Sequence, residues 1–202
     1  MLLHEKLKSY RLLLASQSPR RRELLTGSGL SYELAPRYEV EERYPATLDP
    51  EQVPVYLSQL KSDGFPRPLS GGEILLTADT VVIAAGRILG KPRGREEALE
   101  MLRLLSGRSH TVITGVTLRS EQLRTSFSAR SEVCFRTLSA EERAYYVDNF
   151  HPYDKAGAYG IQEWIGYAAI ERIDGSFYNV MGLPVQRVYG ELGRFIDRME
   201  NR

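Results

Sequence analysis

Leu12-Leu13-Leu14-Ala15-Ser16-Gln17-Ser18-Pro19-Arg20-Arg21-Arg22-Glu23-Leu24-Leu25 is an apolar run that breaks into serines, a proline and three arginines. Leu12 to Ala15 is short and continuously apolar, as a buried strand requires. Ser18 is a good N-cap, and Pro19 at the first helical position gives up an N–H that would be unbonded there anyway. A strand therefore feeds a helix that starts at the arginines. Backbone N–H groups, the positive end of the helix dipole, two serine hydroxyls and guanidinium groups converge at the strand end, which is how proteins hold phosphate. A strand-to-helix turn with a solvated basic face would be spelled the same way.

Outward from this turn, strand and helix patterns alternate without repeats, which favours an α/β or mixed architecture. Ser31 to Ala35 reads as a strand, followed by a charged loop through Glu39, Glu41, Glu42 and Arg43. Asp49-Pro50 opens a helix leading to Lys61, with Pro54 in its first turn or at its true start. Glu73 to Ala78 and Val81 to Ala84 are β-rich on either side of Asp79-Thr80, and Ala85-Gly86 suits a tight turn into Ile88-Leu89. Ala98, Met101, Leu102 and Leu105 have helical spacing, with Gly107 as the C-terminal cap. His110 to Leu118 and Ser126 to Phe135 form a hairpin, and Ser139 with Glu142 forms a capping box. Asp154 to Gln162 reads as a Gly-rich loop, Ala168 to Ile173 and Phe177 to Val180 as short strands, and the segment after Pro184 as an amphipathic helix. With no clear linker, residues 1–202 are expected to be a single domain, with room for two lobes.

Composition narrows the chemistry. The 202 residues are 42% hydrophobic and 26% charged, enough for one good core or two small lobes around a cleft. Lys and Arg total 27 against 26 for Asp and Glu, so there is no global basic field for a long nucleic acid, and any anion site must be local. The single cysteine, Cys134, excludes an internal disulfide and reads as a buried, inert thiol on a strand. Charges near the start and the lack of a long apolar stretch argue against a signal peptide or a membrane span, so the expected location is the cytoplasm.

Outside the first turn the candidates are few. Asp79, closing a very apolar strand, is costly to bury without a cation, a donor or a reacting water as partner; an Asp turn at a strand end is the plain alternative. Lys91 in Leu89-Gly90-Lys91-Pro92 could touch phosphate, and Glu41 or Glu42 could offer oxygen to magnesium, although such residues are commonly just solvated. Tyr145, Tyr146 and Trp164 read as core or interface, and His110 and His151 lack a triad partner.

Together these residues resemble the Maf family. LASQSPRRRELL, the acidic residue at 42, the lysine of LSQLKS, ADTVV, LGKP, LSGRSHTVITGV, DKAGAYGIQ and GSFYNVMGLP match its motifs in order, from about Leu12 to Pro184. The resemblance implies an elongated mixed sheet flanked by helices, with two lobes around a cleft as in inosine triphosphatases. It implies hydrolysis of a nucleoside triphosphate to monophosphate and diphosphate with a divalent cation, Mg2+ or Mn2+. Carried over by position, Asp79 is the proton acceptor; Ser16, Arg21, Lys61 and Lys91 contact phosphate; and Glu42 with Asp79 lies at the metal. Arg20, Thr80 and Gln162 are the combination of the dTTP and UTP branch, the Gln162 amide fitting the imide edge of thymine or uracil, and Lys155 is a further expected substrate contact. Gln17 replaces a usually small residue, and Thr77 stands where Gly is commoner. The same resemblance suggests control of non-canonical nucleotides, a link to septum formation and cell-division arrest, and a chain that could pair as a homodimer. The alternatives are a nucleotide-binding septation regulator without turnover and a pyrophosphatase of modified purines.

Overall fold

The computed structural model describes residues 1–201. In chain order, a short helix α1 (Leu3–Lys6) precedes β1 (Arg11–Leu14), α2 (Pro19–Gly27), β2 (Glu33–Leu34), α3 (Val53–Asp63), β3 (Glu73–Ala84), β4 (Arg87–Leu89), α4 (Arg95–Leu105), β5 (Ser109–Arg119) and β6 (Arg124–Phe135). Then come α5 (Ala140–Phe150), two 3-10 turns, α6 (Trp164–Ala169), β7 (Ile170–Asp174), α7 (Phe177–Met181) and α8 (Val185–Glu200). The strands follow the order β2-β1-β3-β5-β6-β7, with β4 on β3, so the fold is mixed α/β as expected. The chain forms two compact units: Met1–Asp79, Thr114–Ala129 and the segment from Gly182 onward make the first, and Thr80–Ile113 with Arg130–Met181 the second. Among the described residues no helix is long and apolar enough to cross a membrane.

In the first unit β1 lies parallel between β2 and β3, with Leu13 opposite both Glu33 and Leu75. Leu12, Leu13 and Leu14 are all buried, because a strand flanked on both edges and covered on both faces has no solvent side. Leu13 and Leu75 pack with Phe65 and Leu69, and Tyr38 meets Phe65 edge-on at 5.7 Å. α8 buries Val185, Val188, Leu192, Phe195 and Ile196, the stripe its periodicity predicts. At Gly115, in β5, an added Cβ would lie 2.3 Å from the backbone of Pro54 and Val55, so only glycine lets this strand approach the start of α3.

In the second unit α4 buries Ala98, Met101, Leu102 and Leu105 and is followed by Gly107 at φ 67°, as its spacing and cap predict. Ser139 and Glu142 form the capping box of α5. Ala85 (φ 49°) and Gly86 (φ 73°) make the tight turn between β3 and β4, both in the left-handed region that matches strand twist. His110, Phe135 and Tyr159 pack edge-to-face at 5.0–5.4 Å, and His110 Nε2 meets the Tyr159 hydroxyl at 2.8 Å. Burial lowers the His110 pKa to about 4, so this ring is a neutral core group.

Several expectations are corrected. Asp79 does not close a strand: β3 runs unbroken for 12 residues through Asp79-Thr80. Phe177 to Met181 is helical, because buried Asn179 donates to Val112 O (3.1 Å) and Ser131 Oγ (3.0 Å) and turns this short apolar run away from a ladder. The strand read as Ala168 to Ile173 begins at Ile170, after α6, and β2 shrinks to Glu33–Leu34. Ser18 occupies the N-cap in an extended conformation, but its side chain makes no capping bond. Cys134 lies on β6 as expected yet is half-buried rather than buried, with Sγ 3.9 Å from Glu171.

Candidate active site

The turn after β1 is held locally and from a distance. Ala15 N donates to Leu76 O (2.9 Å), which carries the strand pairing past Leu14, and Ser16 Oγ then accepts from Ser18 N (3.2 Å). Arg21, one turn into α2, reaches back over this loop. Its Nη1 donates to Ser16 Oγ (3.3 Å) and Ala78 O (2.9 Å), and its Nε to Gly182 O (2.8 Å). Burial works against the guanidinium charge, while Asp79 and Glu42 support it. A cation so fixed is preorganised for an anion instead of swinging in solvent. Arg20 beside it is half-buried.

Asp79 and Lys61 meet because two residues on one face of β3 face two residues one turn apart on α3. Thr77 Oγ1 donates to Ser58 O at 2.6 Å, and two residues along, Lys61 Nζ donates to Asp79 Oδ1 at 2.6 Å. Ser58 Oγ is in turn bonded to Val55 O and Thr117 Oγ1, each at 2.8 Å, so the helix is pinned through buried hydroxyls. This accounts for Thr77 at its unusual position: its hydroxyl has a buried partner. Lys61 Nζ also lies 3.1 Å from Glu42 Oε2, so one ammonium is shared by two carboxylates. Asp79 is only 9% exposed. Burial pushes its pKa up, against the lowering effects of Lys61 and Arg21, which makes it a stronger base than an exposed aspartate.

The remaining predicted residues lie in the second unit. Thr80 follows Asp79 on β3 and is half-buried, whereas Lys91 is exposed beyond β4. Gly90 O accepts from Gly157 N (3.1 Å), which ties the Lys91 segment to the loop 154–162. In that loop Gly157 (φ 69°) and Ala158 (φ 58°) are both left-handed, a conformation that costs the alanine free energy. Lys155 is 7% exposed, and its ammonium pairs with Asp154 Oδ1 (2.7 Å) and Glu163 Oε1 (3.0 Å). Gln162 is half-buried, and its Oε1 is a buried acceptor with no hydrogen-bond partner. Buried acceptors are nearly always satisfied, so an orphan here suits a ligand that donates to it.

The structure thus brings Ser16, Arg21, Glu42, Lys61 and Asp79 together in the first unit. Glu163 and Tyr146 were missed as neighbours of the predicted residues, although a glutamate directly after Gln162 and before the apolar Trp164 was a visible signal. Gly182, whose carbonyl receives Arg21, could not have been found from local spelling. Among the described residues no group of three or more His, Cys, Asp or Glu side chains is placed to hold a metal. Glu42 and Asp79 converge on one cation, the Lys61 ammonium; two carboxylates completed by water and phosphate oxygens are a donor set that fits magnesium.

A dTTP/UTP pyrophosphatase from Bacteroides thetaiotaomicron is 53% identical over 186 residues, 92% of this chain and 96% of the relative. A second protein of that name, from Porphyromonas gingivalis, is 53% identical over 193 residues, 95% of this chain and 97% of the relative. A solved structure of a HAM1 protein from Coxiella burnetii aligns over 92% of this chain and 99% of its own with a TM-score of 0.45 at 14% identity. The model of the Maf-like protein family matches residues 11–195, the span that carries both the Ser16–Arg21 turn and the Asp79–Lys61 pair, and the chain belongs to that family.

Proposed function

We propose that the chain hydrolyses dTTP and UTP to the nucleoside monophosphate and diphosphate. The observation that carries this reading is the buried Asp79, raised in pKa and paired with Lys61, beside the Ser16–Arg21 turn, in a chain 53% identical to proteins named for that reaction. Asp79 accepts a proton from a water that attacks the α-phosphorus. The new P–O bond forms as the bond to the α,β-bridging oxygen breaks, and diphosphate leaves with the electron pair. Ser16, Arg21, Lys61 and Lys91 hold phosphate oxygens and neutralise charge, which is most of what phosphoryl transfer asks of a protein. Glu42 and Asp79 would hold a divalent cation, Mg2+ or Mn2+, which when bound screens the phosphate charge.

The orphan Gln162 amide reads the imide edge of the pyrimidine, with Arg20 and Thr80 completing the selection and Lys155 shaping the loop beside it. The family match, over residues 11–195, includes residues of both compact units, which supports reading residues 1–202 as one functional domain. We place the reaction in the cytoplasm, with a nucleotide-surveillance role and any link to septum formation following from turnover. A septation regulator that only binds nucleotide would have no use for a base of raised pKa. The test is product identity. UTP should give UMP and diphosphate, with activity lost in excess EDTA; orthophosphate as the primary product overturns the reading.

A further inference from the structure

Gln162 lies in the turn between the 3-10 turn Ala156–Ala158 and α6, so neither a helix nor a strand ladder fixes its backbone. An amide that must read a base edge needs such fixing, because a misplacement of about 1 Å can cost on the order of a hundredfold in rate. The neighbouring side chains provide it. Glu163 Oε1 accepts from Lys155 Nζ at 3.0 Å, and Glu163 Oε2 accepts from the Tyr146 hydroxyl. The same hydroxyl accepts from Gly160 N at 3.0 Å. One carboxylate thus ties Lys155 at the start of the loop to its own position at the end, with the residue next to Gln162 as the knot.

The brace is rigid and close. Tyr146 is fully buried on α5, stacked on Phe150 at 5.1 Å and near Trp164 at 6.5 Å. Glu163 N donates to Gly160 O and Gly166 N to Glu163 O, at 3.0 and 2.9 Å. A Cβ on Gly160 would sit 3.0 Å from both Glu163 Cδ and Lys155 Cε, so the ion pair closes directly over that glycine. The side chains of Lys155 and Glu163 are 9% and 19% exposed, an enclosed pair in which loss of either partner is felt strongly. Every charge in this group is matched within the loop, and the polar atom left for a ligand is Gln162 Oε1.

We propose that Glu163 is a positioning residue for pyrimidine selection, acting through Lys155 and Tyr146 to hold Gln162 in place. This rests on the reading of Gln162 as the base-contacting side chain. The experiment compares kcat/KM for UTP and CTP in the wild type, Glu163→Gln and Tyr146→Phe, with Gln162→Ala as control and thermal melting of each. Glu163→Gln preserves side-chain volume, and Tyr146→Phe removes only the hydroxyl. Glu163→Gln is expected to lower the UTP to CTP ratio by roughly threefold to tenfold while CTP turnover changes by less than about twofold, with Tyr146→Phe shifting the ratio the same way by less. An unchanged ratio in both variants, with the ratio collapsed in Gln162→Ala, overturns the positioning role and leaves the base reading standing. Equal losses for UTP and CTP alongside a lower melting temperature overturn it too, because a brace that only stabilises the fold does not discriminate. A ratio unmoved by Gln162→Ala is a different failure: it breaks the base reading itself and this proposal with it.

Discussion

The two groups of candidate side chains handle charge in opposite ways. Around Asp79, charges are shared: one ammonium serves two carboxylates, and one buried guanidinium, supported by Asp79 and Glu42, donates to backbone and hydroxyl oxygens. Around Gln162, charges are matched to one another within the loop, and the orphan is a neutral amide oxygen. The first arrangement suits chemistry on a polyanion, since its cations can be redistributed onto phosphate as the carboxylates take up a proton or a metal. The second suits recognition, since a neutral buried amide discriminates by leaving the wrong partner unsatisfied.

The sharpest way to break this contrast is at its charged end. Asp79→Asn keeps the shape and removes the base, so kcat for UTP should fall by about a hundredfold or more while nucleotide binding survives. Steady-state kinetics with a binding titration checks this, and turnover within a few fold of wild type would remove Asp79 from the reaction.

At the neutral end, Gln162→Ala should shrink the UTP to CTP ratio of kcat/KM by roughly tenfold to a hundredfold, the effect of about 1–3 kcal/mol for a mismatched buried polar group. Contacts to triphosphate should be spared, so nucleoside triphosphates as a class should still be bound. A loss that is the same for both nucleotides would place Gln162 with the charge-handling group instead.

A smaller effect sharpens the comparison through pH. In the proposed reaction Asp79 is a base when deprotonated, so activity should be lost as pH falls through its pKa, which burial raises above the ordinary 3.8. Lys61 is one of the groups holding that pKa down. Lys61→Met should therefore move the acid limb of kcat/KM to higher pH, by about one unit or more, whatever it does to the maximal rate. Measured pH–rate profiles decide: a limb that stays in place means the pair seen at 2.6 Å does not govern the base.

Much of the fold was legible because its signals are local. The capping box at Ser139, the turn at Ala85-Gly86, the helical stripe of α4 and the continuous apolar run of β1 each depend on residues within a turn or two of one another. Where a distant partner decides the backbone, local reading fails. Asp79 looks like a strand end because Asp commonly bonds to its own turn; with Lys61 from α3 as its partner, the strand continues. Phe177 to Val180 looks like a strand until Asn179 finds Val112 and Ser131.

The candidate site divides along the same line. The sequence by itself determined the residue types available for chemistry: the Ser16–Arg21 turn, an aspartate at the end of an apolar run, the lysines, the glutamine in a Gly-rich loop, and the family they resemble. Only the tertiary structure decided which of them share a charge. That Lys61 is divided between Glu42 and Asp79, that Arg21 is locked by Gly182, and that Lys155 is neutralised by Glu163 all follow from contacts across many residues of chain. Burial and partner distance set the energy of a charge, and neither quantity is encoded within any short window of sequence.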